Sequence, residues 1–293
     1  MGNSTNSKNG NETMNAGNNP ISISVVIPTF NRPRELRRAL DSVIAQNYSP
    51  LEIIVIDDNA RNVIARQATA QVITDYAQPI LYIQTEEPCG GSKARNIGIK
   101  AATSDWIAFL DDDDEWLLEK LHAQATQISH ADENVACFDT GFLEVNEKTG
   151  ISRTIRPQLK GKIFTKLLVK HRGRAPKLST CICHRSTLLE IGCFDSSLPA
   201  RQDLDLYLRI AREHEFLYLE QPYAIKYIHE GGQITDSPTK KVLGFLRMYE
   251  KYLTDLKKHP ILHILYRLQI ARWLLKDGQW GRAILCLLSR SIM

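Results

Sequence analysis

The chain has 293 residues, of which 43% are hydrophobic and 24% are charged, so it can form one large α/β core or two smaller domains. Its formal net charge of +4 is too small to predict a nucleic-acid partner. The six cysteines form no CxxC pair and lack the histidine spacing of zinc sites, which predicts free or buried thiols instead.

The N-terminal segment, residues 1–20, contains seven asparagines and almost no large apolar side chains. Because this composition cannot bury enough surface to pack, we predict that the segment is disordered and exclude it from the fold. It has neither the basic start nor the apolar stretch of a signal peptide, and no later run reaches the roughly 18 apolar residues that span a bilayer. A cytoplasmic location is therefore expected.

Four short apolar runs follow, and they are rich in β-branched residues: Ile23–Ile27, Ile53–Ile56, Ile80–Ile83 and Trp106–Leu110. They lack polar alternation, which is typical of strands buried on both faces of a parallel sheet. Apolar residues at helical spacing predict three helices between them: Arg34–Gln46, Arg61–Tyr76 and Ser92–Ala102. The order βαβαβαβ predicts a doubly wound sheet whose ligands lie beyond the carboxyl ends of its strands.

Polar clusters stand at three of these carboxyl ends: Pro28–Asn31, Asp57–Asn59 and the four aspartates Asp111–Asp114. Neither GxxxxGK[ST] nor GxGxxG occurs there, which argues against a P-loop or dinucleotide fold. Carboxylates about 4 Å apart repel by roughly 1 kcal/mol in water and by about 4 kcal/mol near a protein surface. The four aspartates therefore predict a site for a hard divalent cation, Mn²⁺ or Mg²⁺, together with phosphates of a ligand.

The alternative is that these aspartates only cap a following helix, since acidic residues suit the positive end of a helix dipole. Apolar spacing predicts that helix over Leu117–Ser129, and Asp114 is the best candidate for its cap. For the run as a whole, its place after a strand and opposite Asp58 favours the metal site.

Beyond residue 130 the pattern becomes an α+β mixture. Val135–Val145 and Ser179–Cys183 are strand-like, whereas Ser186–Ile191 and Asp203–Glu213 are helical. Three further segments predict a helical C-terminal tail: Lys240–Lys257, Pro260–Lys276 and Trp280–Ser289. The tail has an apolar stripe and several basic residues, namely Arg267, Arg272, Lys276, Arg282 and Arg290. It fits either packing on the body or peripheral contact with the inner face of the plasma membrane.

Several segments, in order along the chain, resemble motifs of glycosyltransferase family 2: Ile23–Arg32, Val55–Asn59, Gly91–Gly98, Phe109–Asp114, Gly192–Asp195 and Gln202–Arg209. The resemblance covers roughly residues 22–230. It implies a GT-A fold, in which a Rossmann-like, mostly parallel α/β sheet flanked by helices is joined to an α+β half. By this resemblance the nucleotide-sugar-binding half is 21–130, the acceptor-binding half is 131–239, and the helical tail is 240–293.

The resemblance also implies a reaction. A sugar would move, with inversion, from a nucleotide diphosphate donor to a hydroxyl of a glycan, lipid-linked or protein acceptor, and a UDP-sugar is the favoured donor over dTDP- and GDP-sugars. Bound Mn²⁺ or Mg²⁺ would neutralise the leaving diphosphate. The chain lacks QxxRW, the pattern of processive synthases, so the addition of one or a few sugars is expected.

Particular residues match the family's functional positions. Asp111 and Asp113 would hold the metal, and Asp112 would lie toward the ribose. The residues expected around the nucleotide are Pro28, Thr29, Phe30, Asn31 and Asp58 at the base, with Lys93 and Arg95 at the diphosphate. Asp203 matches the general base that takes the proton of the acceptor hydroxyl.

Three neighbouring positions qualify this assignment. Asp205 would face away from Asp203 on a helix, so it is the weaker candidate for the base. Gln202 replaces a glutamate that is frequent in the family and removes one negative charge. His229 stands where several relatives carry a metal-approaching histidine, and the sequence leaves its role open between ligand and structural residue.

Two alternatives remain at this point. One is a sugar-phosphate nucleotidyltransferase, which would need a Gly-rich basic loop where this chain has Pro28–Pro33. The other is a noncatalytic nucleotide-sugar or divalent-metal-binding module. The sequence also leaves open the donor sugar, the acceptor, the linkage and the oligomeric state.

Overall fold

The computed structural model of the protein describes residues 20–170, 175–228 and 237–288. Its first half contains β1 (Ile23–Thr29), α1 (Pro33–Ile44), β2 (Glu52–Asp57), α2 (Ile64–Thr74), β3 (Ile80–Gln84), α3 (Gly91–Ala101) and β4 (Trp106–Phe109). All four predicted strands and all three predicted helices between them are present, with every end within three residues of its predicted position. Regular alternation of apolar runs with amphipathic segments was thus sufficient to find these elements.

The second half contains β5 (Asp114–Trp116), α4 (Lys120–Ser129), β6 (Val135–Asn146), β7 (Ser152–Ile155), α5 (Phe164–Lys170), β8 (Ile182–His184), α6 (Arg185–Glu190), α7 (Gln202–Ile210) and β9 (Glu215–Ile228). The tail contains α8 (Pro238–Lys251), α9 (Leu253–Lys257), α10 (Pro260–Lys276) and α11 (Trp280–Leu288). None of the helices in the described ranges is long and apolar enough to cross a membrane.

One sheet of nine strands runs through the described residues in the order β3-β2-β1-β4-β8-β6-β9-β5, with β7 paired to β6. Strands β1 to β4 are parallel to their neighbours, whereas β8 joins β4 in the antiparallel direction. The chain order reverses between β1 and β4, because β2 lies on one side of β1 and β4 on the other. Such a switch point opens a crevice at the carboxyl ends of the strands, where ligands bind in open α/β sheets.

The central strands are buried on both faces. Val26, Ile54 and Phe109 belong to the core beneath α3, whereas Val25 and Val55 belong to the core beneath α1. Helix α3 lies especially close to β1, since a Cβ atom at Gly98 would be 2.4 Å from Val26 Cγ1. This close approach fixes the helix that carries Arg95.

The structure corrects several predictions in the second half. The helix predicted from Leu117 begins at Lys120, because the short strand β5 pairs with β9 before it. The predicted strand Ser179–Cys183 is a 3₁₀ turn, Leu178–Thr180, followed by β8. The helix predicted over Lys240–Lys257 is two helices that meet at Tyr252.

Other elements were not predicted at all: α5, β7 and the 14-residue strand β9. Some predictions lie outside the described residues, namely those for residues 1–19, His229 and Arg290. All six cysteines are free thiols, as the sequence predicted. Because a single sheet joins both predicted halves, the boundary at residue 130 remains a prediction.

Candidate active site

The site lies at the switch point, where the turns after β1 and β4 meet. Asp112, only 5% exposed, accepts hydrogen bonds from Thr29 Oγ1 at 2.9 Å and from the Phe30 backbone N–H at 3.3 Å. Arg32 Nη1 bridges two of the aspartates, at 3.0 Å from Asp112 Oδ1 and 2.7 Å from Asp113 Oδ2. Burial raises the pKa of Asp112 to about 6, although the Arg32 charge opposes this change.

The other two aspartates are held by different elements. Asp111 forms an ion pair with Arg95 of α3, and its backbone N–H donates to Ser179 Oγ at 3.1 Å. Asp114 Oδ2 accepts from Ser179 Oγ at 2.5 Å and lies 3.4 Å from Lys226 Nζ of β9. Burial opposes ionisation of Asp111, but the charges of Arg95 and Lys226 outweigh it and hold the pKa of Asp111 below its usual range.

Asp114 does not cap a helix, although the sequence offered it as the cap of the helix predicted from Leu117. It begins β5 and is 2% exposed, while Glu119 occupies the cap position of α4 without a capping side-chain bond. Burial raises the pKa of Asp114 to about 7, and its Oδ1 atom is buried without a hydrogen-bond partner in the described part of the chain. A carboxylate in this state favours the approach of a cation.

Three of the aspartates form a group that suits a metal ion. Carboxylate oxygens of Asp111, Asp113 and Asp114 lie within 4.8 Å of one another. Oxygen donors of this kind are what Mg²⁺ and Mn²⁺ prefer, and the unpartnered Asp114 oxygen adds a free lone pair, so the residues fit such an ion. The sequence predicted a cation site at the four aspartates, with Asp111 and Asp113 as the ligands, and the structure adds Asp114, the residue that the sequence offered as a helix cap.

A first cavity of about 430 Å³, here called the donor cavity, surrounds this run. Of the residues predicted to bind the nucleotide, those that line it are Pro28, Thr29, Phe30, Asp58, Arg95 and Asp112. Asn31 and Lys93 are exposed and are not among its lining residues. The structure thus brings together most of the predicted nucleotide site, and it leaves these two residues beside it.

Asp58 is buried and already hydrogen-bonded within the protein. It accepts 2.7 Å hydrogen bonds from the backbone N–H groups of Cys89 and Gly90, and a 3.1 Å bond from Thr85 Oγ1. These contacts fix the loop before α3, where Gly90 has a φ of +85°. Because a carboxylate has about four acceptor positions, Asp58 retains capacity for one ligand donor.

A second cavity of about 410 Å³, here called the central cavity, shares Arg95, Asp111 and Lys226 with the donor cavity. It also contains Asp203, a half-buried residue in the first turn of α7, whose Oδ1 accepts from the Leu204 N–H at 2.8 Å. The structure therefore places the predicted base in the same space as the aspartate run.

Asp205 faces elsewhere, as its helical spacing from Asp203 predicted. It is fully buried and paired with Arg209 Nε and Lys251 Nζ, each at 2.8 Å. Asn96 also has a structural role, because its side-chain amide exchanges two hydrogen bonds with the Phe194 backbone, at 2.8 and 2.9 Å. Neither residue contacts the cavities.

Sequence reasoning missed three residues of the site: Arg32, Ser179 and Lys226. Arg32 closes the first motif and could have been noticed as a charge next to the turn. Lys226 interrupts the strand-like run Tyr223–Ile228, which is a signal for a charge that needs a buried partner. Ser179 had no such signal, because its role depends on the contact between the 3₁₀ turn and Asp114.

Comparison with known proteins settles the family. The sequence model described as "Glycosyl transferase family 2" matches residues 24–187, which is more than half of the chain. The chain belongs to glycosyl transferase family 2. Membership decides against the nucleotidyltransferase alternative and confirms the resemblance of the motifs.

Relatives within the family include proteins of bacterial polysaccharide synthesis. WcaA of Escherichia coli (strain K12), named as a glycosyl transferase of colanic acid biosynthesis, is 30% identical over 238 residues, which cover 80% of this chain and 82% of that protein. The amylovoran biosynthesis glycosyltransferase AmsB of Erwinia amylovora is 29% identical over 252 residues, with 80% and 79% covered. An uncharacterized glycosyltransferase of Rickettsia felis is 30% identical over 200 residues, and the match spans only 31% of that longer protein.

Solved structures confirm the GT-A fold. TarS of S. aureus in complex with UDP-GlcNAc superposes with a TM-score of 0.60 at 18% identity, and the match covers 91% of this family 2 chain and 70% of that one. The mannosyltransferase PcManGT of Pyrobaculum calidifontis, in complex with GDP-Man and Mn²⁺, gives a TM-score of 0.60 at 16% identity, with 92% and 76% covered. At these identities the likeness shows the fold alone.

The Lys226–Asp114 ion pair leads to the first prediction. In the absence of divalent cations at pH 8, Lys226→Met should lower the free energy of unfolding by about 3 kcal/mol, because it leaves buried carboxylates without their cation. At pH 5 the loss should shrink, since Asp114, with a pKa of about 7, is then protonated. Urea denaturation of the wild type and the variant at both pH values measures this difference.

The double variant Asp114→Asn/Lys226→Met should recover most of the loss, because it removes both charges. Arg153→Gln, which breaks the exposed pair of Arg153 with Glu144, is the matched control and should cost less than about 1 kcal/mol. Equal losses for Lys226→Met and Arg153→Gln would contradict the buried pairing.

Proposed function

We propose that this family 2 glycosyltransferase moves a sugar from a nucleotide diphosphate donor, with a UDP-sugar favoured, to a hydroxyl of a glycan acceptor with inversion of configuration. One observation carries the proposal most directly: the aspartate run and Asp203 line connected cavities, so that a leaving group and an acceptor can meet between them. Catalysis by proximity and charge stabilisation needs this arrangement.

The donor cavity supplies complementary chemistry for a nucleotide. The Phe30 ring, 40% exposed, lines it and offers a face for the base, while the remaining acceptor position of Asp58 would take an N–H of uracil. Asp112 would lie toward the ribose. The roles of Asn31 and Lys93 rest on the resemblance alone, because neither lines the cavity.

The diphosphate would lie near Arg95 and Lys226, which line both cavities. Asp111 and Asp113, joined by Asp114, would hold Mn²⁺ or Mg²⁺, and the bound ion would neutralise charge on the departing nucleoside diphosphate. The mannosyltransferase of similar fold is in complex with GDP-Man and Mn²⁺, which supports a nucleotide diphosphate sugar together with this ion, and TarS is in complex with UDP-GlcNAc, which supports uridine. Arg95 pairs with Asp111 in this structure, and its guanidinium also lines the donor cavity, where it would contact the phosphates.

Asp203 would act as the general base. Its carboxylate would take the proton of the acceptor hydroxyl while that oxygen forms a bond to the anomeric carbon, and the bond from this carbon to the diphosphate oxygen breaks on the opposite face. Displacement from the opposite face inverts the configuration. Because Gln202 beside it is neutral and donates to the Leu198 carbonyl at 2.8 Å, Asp203 has no second carboxylate next to it in the sequence.

The acceptor is expected to be a growing polysaccharide, since the related proteins of E. coli and Erwinia amylovora are named for polysaccharide biosynthesis. Helices α10 and α11 add a surface that suits a lipid-linked acceptor at a membrane. Their exposed apolar side chains include Ile261, Ile264, Leu265, Leu268, Trp280 and Ile284. Together with the basic residues of the tail, they would allow peripheral contact with an anionic bilayer surface.

A panel of nucleotide sugars tests the donor half of the proposal. The wild type should hydrolyse one of them slowly in the presence of Mn²⁺, with a UDP-sugar preferred, and chelation of the ion should stop the reaction. Asp113→Asn should lower this rate by about 100-fold or more, because it removes a metal ligand. Asp132→Asn, which changes an exposed aspartate outside the donor and central cavities, is the control. Hydrolysis that is independent of Mn²⁺ and of Asp113 would contradict the assignment of Asp113 as a metal ligand.

The third prediction concerns Asp203. Asp203→Asn should reduce transfer to an acceptor by about 100-fold or more, since general base catalysis typically contributes 10²–10⁴-fold. Donor binding, measured by calorimetry, should change little because Asp203 does not line the donor cavity. Substantial residual transfer with normal donor affinity would rule out Asp203 as the base.

A further inference from the structure

A third cavity, of about 350 Å³ and here called the side cavity, adjoins the central one. The two share Lys177, Arg201, Asp203 and Trp273. Helix α10 closes the side cavity with residues that line neither of the other two, among them Gln269, Arg272 and Lys276. Asp203 therefore lines both the central cavity, which contains part of the aspartate run, and the side cavity, which is formed partly by the tail.

The side cavity is strongly cationic. Four basic side chains line it, Lys177, Arg201, Arg272 and Lys276, against the single carboxylate of Asp203. None of the four makes an ion pair with an acidic residue in the described ranges. In the donor cavity, by contrast, three of the four basic residues that line it, Arg32, Arg95 and Lys226, are paired with aspartates.

Arg201 is held in place by its surroundings. It adopts a left-handed backbone conformation with a φ of +69°, and its guanidinium carbon lies 3.4 Å from the centroid of the Phe245 ring. Helix α8 approaches this loop closely, since a Cβ atom at Gly244 would be 2.9 Å from the Ala200 Cβ. Burial lowers the pKa of Arg201, which means that its charge is poorly solvated and gains from an anion.

Trp273 supplies an aromatic wall between the central and side cavities. It is half-buried, and Lys276 Nζ lies 4.7 Å from its ring centroid. An aromatic face offers apolar contact area to a ligand, and the charged groups beside it can fix the orientation of an anionic one. The side cavity thus combines an apolar surface with uncompensated positive charge next to Asp203.

We propose that the side cavity binds an anionic group, a phosphate or a carboxylate, carried by the acceptor, and thereby places the acceptor hydroxyl at Asp203. Arg201, Arg272 and Lys276 are the recognising cations. The inference rests on the proposed function, because it treats Asp203 as the base. The donor diphosphate has its own cations in the donor cavity, and Arg272 and Lys276 do not line that cavity.

Binding of small anions tests the proposal without knowledge of the acceptor. Inorganic phosphate, glucuronate and neutral glucose are titrated separately into the full chain at low ionic strength, with calorimetry as the readout. The wild type should bind at least one of the two anions and should not bind glucose. Preference for phosphate indicates a phosphoryl-bearing acceptor, and preference for glucuronate indicates an acidic sugar; both results support the proposal.

Variants assign the binding to the side cavity. Arg272→Gln/Lys276→Gln should weaken anion binding by about 10-fold or more, because it removes two charge-assisted contacts. Arg272→Lys/Lys276→Arg keeps both charges and should stay close to the wild type. Arg247→Gln/Lys257→Gln is the matched control, since it removes two exposed cations of α8 and α9 that line none of the three cavities. Thermal melting checks that every variant is folded.

The proposal is overturned if neither anion binds, or if Arg272→Gln/Lys276→Gln and the control lose the same affinity. Donor hydrolysis by the wild type separates this failure from failure of the proposed function. If the wild type cleaves a donor but anion binding does not depend on Arg272 and Lys276, only the side-cavity inference fails. If the wild type cleaves no donor, the proposed function is contradicted. The anion can then no longer be interpreted as part of an acceptor.

Discussion

The repulsion between four consecutive aspartates at one sheet edge is the constraint on which the rest of the site depends. Each carboxylate is offset by a cation or a hydroxyl from another part of the chain: Arg32 before α1, Arg95 on α3, Ser179 in the 3₁₀ turn and Lys226 on β9. These partners come from both halves of the sequence. The pairing therefore joins the parallel strands to the antiparallel strands beside them. The site is complete only when both groups of strands have folded.

The same constraint prepares the site for its chemistry. Burial raises the pKa values of Asp112 and Asp114, which means that their negative charge is costly at this edge, and under the proposed function a bound divalent cation would offset this cost. Arg95 and Lys226 lie at the boundary between the donor and central cavities, where charge would develop on a leaving diphosphate. Most cations around the donor cavity are paired with aspartates, whereas the four cations of the side cavity make no ion pair within the described ranges.

The sequence predicted the parts of this arrangement that local pattern controls. Apolar runs such as Ile23–Ile27 are buried on both sheet faces and leave little choice of structure, so the strands and the position of the aspartates could be inferred before the fold was known. The place of Asp114 in the site could not be inferred in this way. The residues Asp114–Trp116 look like the start of a helix, but they pair with the distant strand β9. Lys226 and the side cavity depend on packing of β9 and α10 against earlier elements, and sequence periodicity carries no information on such contacts.

The central claim is that the aspartate run binds the metal and diphosphate of a nucleotide sugar. Crystals grown with UDP and Mn²⁺, and measured for the anomalous signal of manganese, test it most directly. The account predicts a manganese peak at coordination distance from carboxylate oxygens of Asp111 and Asp113, with the diphosphate on its other side and the uracil near Asp58. A bound nucleotide whose manganese contacts neither Asp111 nor Asp113 would contradict it.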